Sequence, residues 1–274
     1  MDGSTIAPIA FIGGGNMASA LIGGLRRAGR AAGDIVVVEP SPAQRERLAR
    51  EFGIQAQPSA DARLAAAVMV VWAVKPQSFA DAASPCASHV ARALQVSVMA
   101  GVRSENIAGA LQLDARAARI VRAMPNTPAL IGRGIAGLHA GPTVSDSERR
   151  AVEALFAPTG SALWVSGEAD LDAVTALSGS GPAYVFYFIE AMVQAGTEMG
   201  LAAGQSRRLA QETFAGAAAL AMQSDETPAQ LRERVTSKGG TTHAAITSLE
   251  DDGVKAAFVR ALHAARRRAE ELGR

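Results

Sequence analysis

Cysteine has all but dropped out of this chain: Cys86 is the only one in 274 residues, which excludes an intrachain disulfide framework and suits a reduced, cytoplasmic setting. Histidine is nearly as scarce, with four residues scattered at positions 89, 139, 243 and 263, so no His-rich zinc site is offered and no metal is expected. Charge of one sign is missing as well. The 27 basic residues stand against 26 acidic ones for a formal net charge of +1, which leaves no global electrostatic case for a nucleic-acid or membrane-surface partner. The one basic run, Arg266-Arg267-Arg268, reads as the wet face of a terminal helix. Long apolar runs are absent too: the stretch from Tyr184 to Ile189 stops at Glu190, far short of a bilayer span. The first residues carry Asp2 where a secretory signal would be basic.

What is present falls into two parts. From Pro8 to about Val165, short β-rich apolar runs alternate with helix-like segments, the pattern of a mostly parallel sheet covered on both faces. The expected strands are 9–13, 34–39, 66–74, 93–100, 119–124, 134–140 and 161–165, the later, more Gly-rich ones being candidates for antiparallel additions. Beyond Gly167 the chain is rich in Ala, Leu, Glu, Gln and Arg, and its breaks predict helices near 182–199, 206–222, 228–236, 241–251 and 254–271. Thr227-Pro228-Ala229-Gln230 is an especially clear helix start: a capping Thr, Pro in the first turn, and Gln placed to complete a capping box. The expected organisation is therefore α/β plus all-α, with an N-terminal domain at 1–167 and a helical domain at 168–274.

The segment 181–196, GPAYVFYFIEAMVQAG, is apolar nearly all round for its first two turns. A helix of that kind needs enclosing on several sides. A domain of roughly a hundred residues has limited capacity for this, so a homodimer whose two subunits share a helical core is expected.

Directly after the first strand comes Phe11-Ile12-Gly13-Gly14-Gly15-Asn16-Met17-Ala18. Gly13, Gly15 and Ala18 satisfy G-x-G-x-x-A, whose physical content is a tight turn, a close backbone approach to pyrophosphate, and close helix-to-strand packing. The helix N-terminus behind it presents unpaired N–H groups to phosphate. Glu39, at the end of the second strand, stands where an acidic side chain accepts hydrogen bonds from the adenosine ribose of NAD. Ser41 and Arg45 could instead meet a 2'-phosphate if Glu39 turns away; the competing reading is that Arg45, like Arg47 and Arg50, only solvates a helix face. Ala73-Val74-Lys75-Pro76 ends a strand where open α/β folds put ligands, although a strand-end lysine is more often simply solvated. Met124-Pro125-Asn126-Thr127-Pro128 reads as a rigid turn that fixes Asn126, suited to a place beside a nicotinamide ring or to a purely structural turn.

Taken together, the segments 12–21, 73–77, 121–134, 172–192 and 234–246 resemble, in order and across nearly the whole chain, the signature segments of the pyrroline-5-carboxylate reductase family. The resemblance implies an N-terminal Rossmann domain, a C-terminal helical domain that pairs with its twin, and hydride transfer from a nicotinamide coenzyme to a five-membered cyclic imine bearing a carboxylate, the last step of proline biosynthesis. It places Ser237, Gly239, Gly240, Thr241 and Thr242 at the substrate, with Thr242 near the imine nitrogen, where its hydroxyl would orient the ring or relay a proton. The residues agree in chemistry, because glycines at a helix start expose N–H groups to a carboxylate. His243 reads better as a surface or interface residue.

Two departures stand out. The family usually has proline where this chain has Lys238. Lysine gives up the stiffness of proline and adds a charge that could attract the carboxylate or a coenzyme phosphate. Family members use NADPH or NADH, commonly the former, which pulls against the simplest reading of Glu39; NADP(H) is narrowly expected, with NAD(H) possible. Competing assignments are a reductase of another small cyclic imino acid, a β-hydroxyacid dehydrogenase, and a non-catalytic NAD(P)-binding redox sensor. A larger ring differs by only a methylene, which apolar pockets discriminate modestly.

Overall fold

The short apolar runs of the first part become one seven-stranded sheet in the computed structural model, which describes residues 7–273. Asp2, expected at a non-signal N-terminus, lies outside the described residues. The strands are β1 (Ile9–Ile12), β2 (Ile35–Val38), β3 (Met69–Trp72), β4 (Leu94–Ser97), β5 (Ile120–Met124), β6 (Gly134–Ala140) and β7 (Gly160–Trp164), in the spatial order β2-β1-β3-β4-β5-β6-β7. The first five are mutually parallel, β6 is antiparallel to β5, and β7 is parallel to β6, so the last two run against the rest. The expected antiparallel additions are these two strands.

Continuous apolar character follows from two-sided burial. Ile9 and Phe11 face one core while Ala10 and Ile12 face the other, and Met69, Val71, Leu94 and Val96 continue the first across the sheet. Helix α1 (Asn16–Arg27) lays Ala18, Leu21, Ile22 and Leu25 on that first core, a stripe at helical spacing. Helix α2 (Pro42–Phe52) starts where local chemistry starts it: the Ser41 hydroxyl accepts from the Gln44 N–H, and Pro42 occupies the first turn. Short helices α3 (Phe79–Ala83), α4 (Ala87–Val90) and α5 (Ser104–Ala110) accompany the second core, and α6 (Asp146–Phe156) opens on a Ser145–Glu148 capping box.

The chain forms two compact units. One extends through Gly179 and takes up the chain again from Ala265; the other is Ser180–Ala264. Residues 168–179, grouped by sequence pattern with the helical part, pack in the first unit. There α7 (Asp170–Val174) and a π-helical turn (Thr175–Gly179) close on the sheet, with Val174 so near Gly137 of β6 that a Cβ there would come within 2.6 Å of it.

The second unit is helical, as expected: α8 (Gly181–Glu198), α9 (Ala203–Gln223), α10 (Pro228–Arg234), α11 (Thr241–Asp251) and the start of α12 (Val254–Leu272). The Thr227 capping box forms, the hydroxyl accepting from the Gln230 N–H and the Gln230 side chain accepting from the Thr227 N–H. Gly196 lets α8 approach α9, since a Cβ there would meet the Ser206 hydroxyl at 2.8 Å. Phe258 packs edge-on against Tyr184 and Phe188, ring centres 5.6 Å away in both cases. Most of α8 nevertheless remains uncovered within one chain: Phe186 is 58% exposed and Tyr187 67%.

Candidate functional site

The glycine loop between β1 and α1 is shaped by what surrounds it. Gly13 has φ +95°, and a Cβ there would lie 2.7 Å from the Ala73 carbonyl oxygen and 3.0 Å from Val74 Cγ1, so both conformation and space demand glycine. The ends of β1 and β3 thereby meet, which brings together three residues expected at the coenzyme: Gly13, Ala73 and Val74. Gly15 is the opposite case. It is exposed, a Cβ on it would meet nothing within 4 Å, and it stands at the start of α1 with no side chain capping the first turn. Ala18, fully buried, lets the helix pack down on the sheet. An open backbone, uncapped amides and a helix dipole aimed at the same place fit a pyrophosphate. Asn16, also exposed, receives the Arg47 guanidinium at 3.5 Å, and Met17 is half-buried.

Glu39 does something that its place in the sequence did not foretell. It is only 9% exposed, and both carboxylate oxygens are taken by backbone amides: Oε2 accepts from Gly14 at 2.7 Å and Oε1 from Ser41 at 2.8 Å. Arg45 folds back, its Nη1 donating to the carbonyls of Glu39 at 2.9 Å and Pro40 at 2.7 Å. Sequence reasoning missed Gln44 and Ser19, whose side chains both donate to the Gly14 carbonyl. Their types are ordinary for the third residue and the first turn of a helix, so no local signal marks them.

At the end of β3, Lys75 and Pro76 are exposed, and the Lys75 carbonyl accepts from the Ser78 N–H to start a short 3-10 turn. Asn126 is buried at the end of β5. Its Oδ1 accepts from the Ile135 N–H at 3.0 Å and its Nδ2 donates to the Ser178 carbonyl at 3.2 Å, tying the double-proline turn to β6 and to the π-helical turn.

A charge cluster with Arg122 and Asp172 buried and Arg103 and Glu168 half-buried lies in the same unit, also missed from the sequence. Arg122 of β5, 3% exposed, donates to Glu168 at 3.0 Å, and Arg103 donates to Asp172 at 2.6 Å. Glu168 also accepts from the Ser104 N–H and hydroxyl. Burial opposes its charge but is outweighed by the Ser104 hydrogen bonds and the Arg122 guanidinium, which hold its carboxyl below the ordinary range. For Arg122 burial prevails and lowers its pKa despite Glu168. Cys86 is buried, which pushes its thiol up to about 11 and leaves it a packing residue.

In the second unit, the segment 237–242 forms a turn into α11. Gly239 takes φ +76°, the Gly240 N–H donates to the Ser237 carbonyl at 3.0 Å, and Gly240 begins the helix with no side-chain cap. A Cβ on Gly240 would lie 2.8 Å from the Ser237 hydroxyl, so the glycine admits that side chain to the turn. The N–H groups at Thr241 and Thr242 open the helix, Thr242 half-buried and Thr241, Lys238 and His243 exposed. An uncapped helix start of this kind, flanked by hydroxyls, leaves amide donors free to receive an anion. Among the described residues no group of three or more His, Cys, Asp or Glu side chains is placed to hold a metal ion, and no helix is long and apolar enough to cross a membrane.

Comparison with known proteins gives the site its context. Residues 168–272 match the family model for pyrroline-5-carboxylate reductase dimerisation, and residues 8–101 match that for NADP oxidoreductase, coenzyme F420-dependent. The chain is 43% identical to the pyrroline-5-carboxylate reductase of Pseudomonas aeruginosa over 265 residues, 96% of either chain. Its fold superposes on a pyrroline-5-carboxylate reductase from Coxiella burnetii with a TM-score of 0.89 at 36% identity, covering 98% of this chain and 99% of that one. A Plasmodium falciparum pyrroline carboxylate reductase with NADP bound gives a TM-score of 0.87 at 27% identity, covering 98% of each.

Proposed function

We infer from the pyrroline-5-carboxylate reductase family, to which this chain belongs, that it is an NAD(P)H-dependent imine oxidoreductase that reduces 1-pyrroline-5-carboxylate to L-proline. The reaction adds hydride to the imine carbon and a proton to the ring nitrogen. Reduced nicotinamide, when bound, supplies the hydride. The Gly13–Ala18 loop would hold the pyrophosphate, with Ala73, Val74, Lys75 and Pro76 at the neighbouring strand end and Asn126 fixing the turn that follows β5.

The observation that carries the substrate assignment is the uncapped start of α11. Its amides at Thr241 and Thr242 would receive the substrate carboxylate, beside the Ser237 hydroxyl and the backbone opened by Gly239 and Gly240. The Thr242 hydroxyl is the group assigned to the ring nitrogen, orienting the imine and passing it a proton.

NADPH is the preferred coenzyme in this reading. Both oxygens of Glu39 already accept from backbone amides, which reduces what they have left to offer a ribose diol, and Ser41 and Arg45 are the groups for a 2'-phosphate. The NADP-bound relative supports the same choice. A homodimer is proposed on the dimerisation match and the uncovered face of α8, and the cytoplasm is the setting the reading assigns.

The test follows reduced-nicotinamide absorbance with pyrroline-5-carboxylate, its six-membered homologue and a 2-oxo acid, each with NADPH and NADH. Preference for the five-membered imine with NADPH is the expected result. Faster turnover of the six-membered ring would reassign the substrate, and no turnover of either imine by folded, coenzyme-bound protein would end the assignment.

A further inference from the structure

The Gly14–Gly15 peptide is held by two side chains, one from α1 and one from α2, and the peptide before it by a third from the segment after β2. The Gly14 carbonyl accepts from the Ser19 hydroxyl at 3.2 Å and from Gln44 Nε2, and the preceding amide, Gly14 N–H, donates to Glu39 at 2.7 Å. Among the described residues no peptide bond is cis. In a trans planar peptide the N–H points away from the C=O, so drawing the Gly14 carbonyl inward turns the Gly15 N–H outward; the Gly15 residue itself is exposed, and a Cβ on it would find nothing within 4 Å. Glu39 and Ser19 are buried, at 9% and 3% exposure, so bulk water does not readily compete for these bonds.

We propose that Glu39, Gln44 and Ser19 are positioning residues that aim the Gly15 N–H at the coenzyme pyrophosphate, and that Glu39 serves NADH and NADPH alike instead of reading the ribose. The proposal rests on the dinucleotide reading above. Its chemistry is that of an oriented amide donor: an N–H already fixed towards an anion loses no orientational freedom on binding, whereas a free Gly-Gly peptide would have to be frozen by the ligand. Pyrophosphate is common to both coenzymes, so the cost of loosening the clamp must be common to both. A ribose-reading Glu39 would instead act on NADH alone, because the 2'-phosphate removes the diol it reads.

The experiment measures dissociation constants, in the absence of any imine, for NADPH and NADH by nicotinamide fluorescence and for ADP-ribose by calorimetry. Wild type is compared with Gln44→Met, which keeps length and removes the donor, and with Glu39→Gln, which keeps shape and removes the charge. Thermal unfolding and circular dichroism select folded protein, and the half-buried Gln44 makes its variant the one expected to fold without difficulty. The expected result is that both variants weaken all three ligands by a common factor of about tenfold, the equivalent of one charge-assisted hydrogen bond. Wild-type affinity retained in folded variants, or a loss confined to one coenzyme, overturns the proposal. Failure of imine reduction with dinucleotide binding intact would remove the assigned reaction and leave this result readable.

Discussion

Arg122 on β5 and Glu168, 46 residues later, form an ion pair at 3.0 Å in which the arginine side chain is 4% exposed and the glutamate 27%. The pair joins the strand that leads to Asn126 to the segment that leads to α7, and the Asn126–Ser178 hydrogen bond joins the same two stretches a few residues further on.

Removing Glu168 takes from the buried Arg122 guanidinium the carboxylate it donates to, leaving it only the more distant charge of Asp172. Glu168→Gln is expected to cost about 2 kcal/mol, read from urea unfolding at pH 7. The folded-state pKa of Glu168 is depressed below 4.5, so its contribution is present above the unfolded value and is lost as the pH falls through the folded one. The stability gap between wild type and Glu168→Gln should therefore narrow in acid, below about pH 4. A gap that widens there would contradict the assignment of the stabilisation to this carboxylate.

Two glycines two residues apart are expected to behave oppositely. Gly13→Ala meets both φ +95° and the Ala73 carbonyl at 2.7 Å, so thermal unfolding should show a loss of about 2 kcal/mol or more. Gly15→Ala meets neither obstacle and should lie within about 0.5 kcal/mol of wild type in stability, while its methyl group stands in the space assigned to pyrophosphate and weakens coenzyme binding.

Thr242→Val keeps the shape of the side chain and removes its hydroxyl. If that hydroxyl serves the ring nitrogen, kcat should fall by about a hundredfold, with Thr242→Ser retaining most activity. Lys238→Pro, which restores the residue usual in the family, should keep reductase activity; complete loss in a folded protein would show that the lysine does more than tune affinity.

Arg45→Ala should raise the KM for NADPH more than that for NADH, since its guanidinium must leave the Glu39 and Pro40 carbonyls to meet a 2'-phosphate. Equal effects on the two coenzymes would remove Arg45 from the 2'-phosphate site.

Phe186→Asp and Tyr187→Asp place charge on the uncovered face of α8. Light scattering at low micromolar concentration should find the wild type dimeric and the variants shifted to monomer. A monomeric wild type would remove the shared helical core.

The order and type of the elements could be read from the chain because their causes are local. Helix α11 occupies 241–251 as expected, and α8, α9, α10 and α12 fall within three residues of their expected bounds, because Thr227, Pro228 and the glycine breaks act on their immediate neighbours. The seven strands were legible as apolar runs, shorter in the fold where the outer residues leave the strand, as at Ala66, which closes a 3-10 turn before β3. The glycine fingerprint was legible for the same reason: Gly13, Gly15 and Ala18 meet a steric requirement that spacing alone expresses. The dealings of Glu39 with Gly14, Gln44 with Gly14 and Arg122 with Glu168 were not, since each joins residues 25 to 46 positions apart and exists only once strands far apart in sequence lie side by side. Periodicity reports which face of an element is apolar, and capping chemistry reports where it starts. The direction a buried polar side chain takes is settled by whichever partner the assembled sheet brings within about 3 Å, and for Glu39, read in the sequence as a ribose acceptor, those partners are the Gly14 and Ser41 amides.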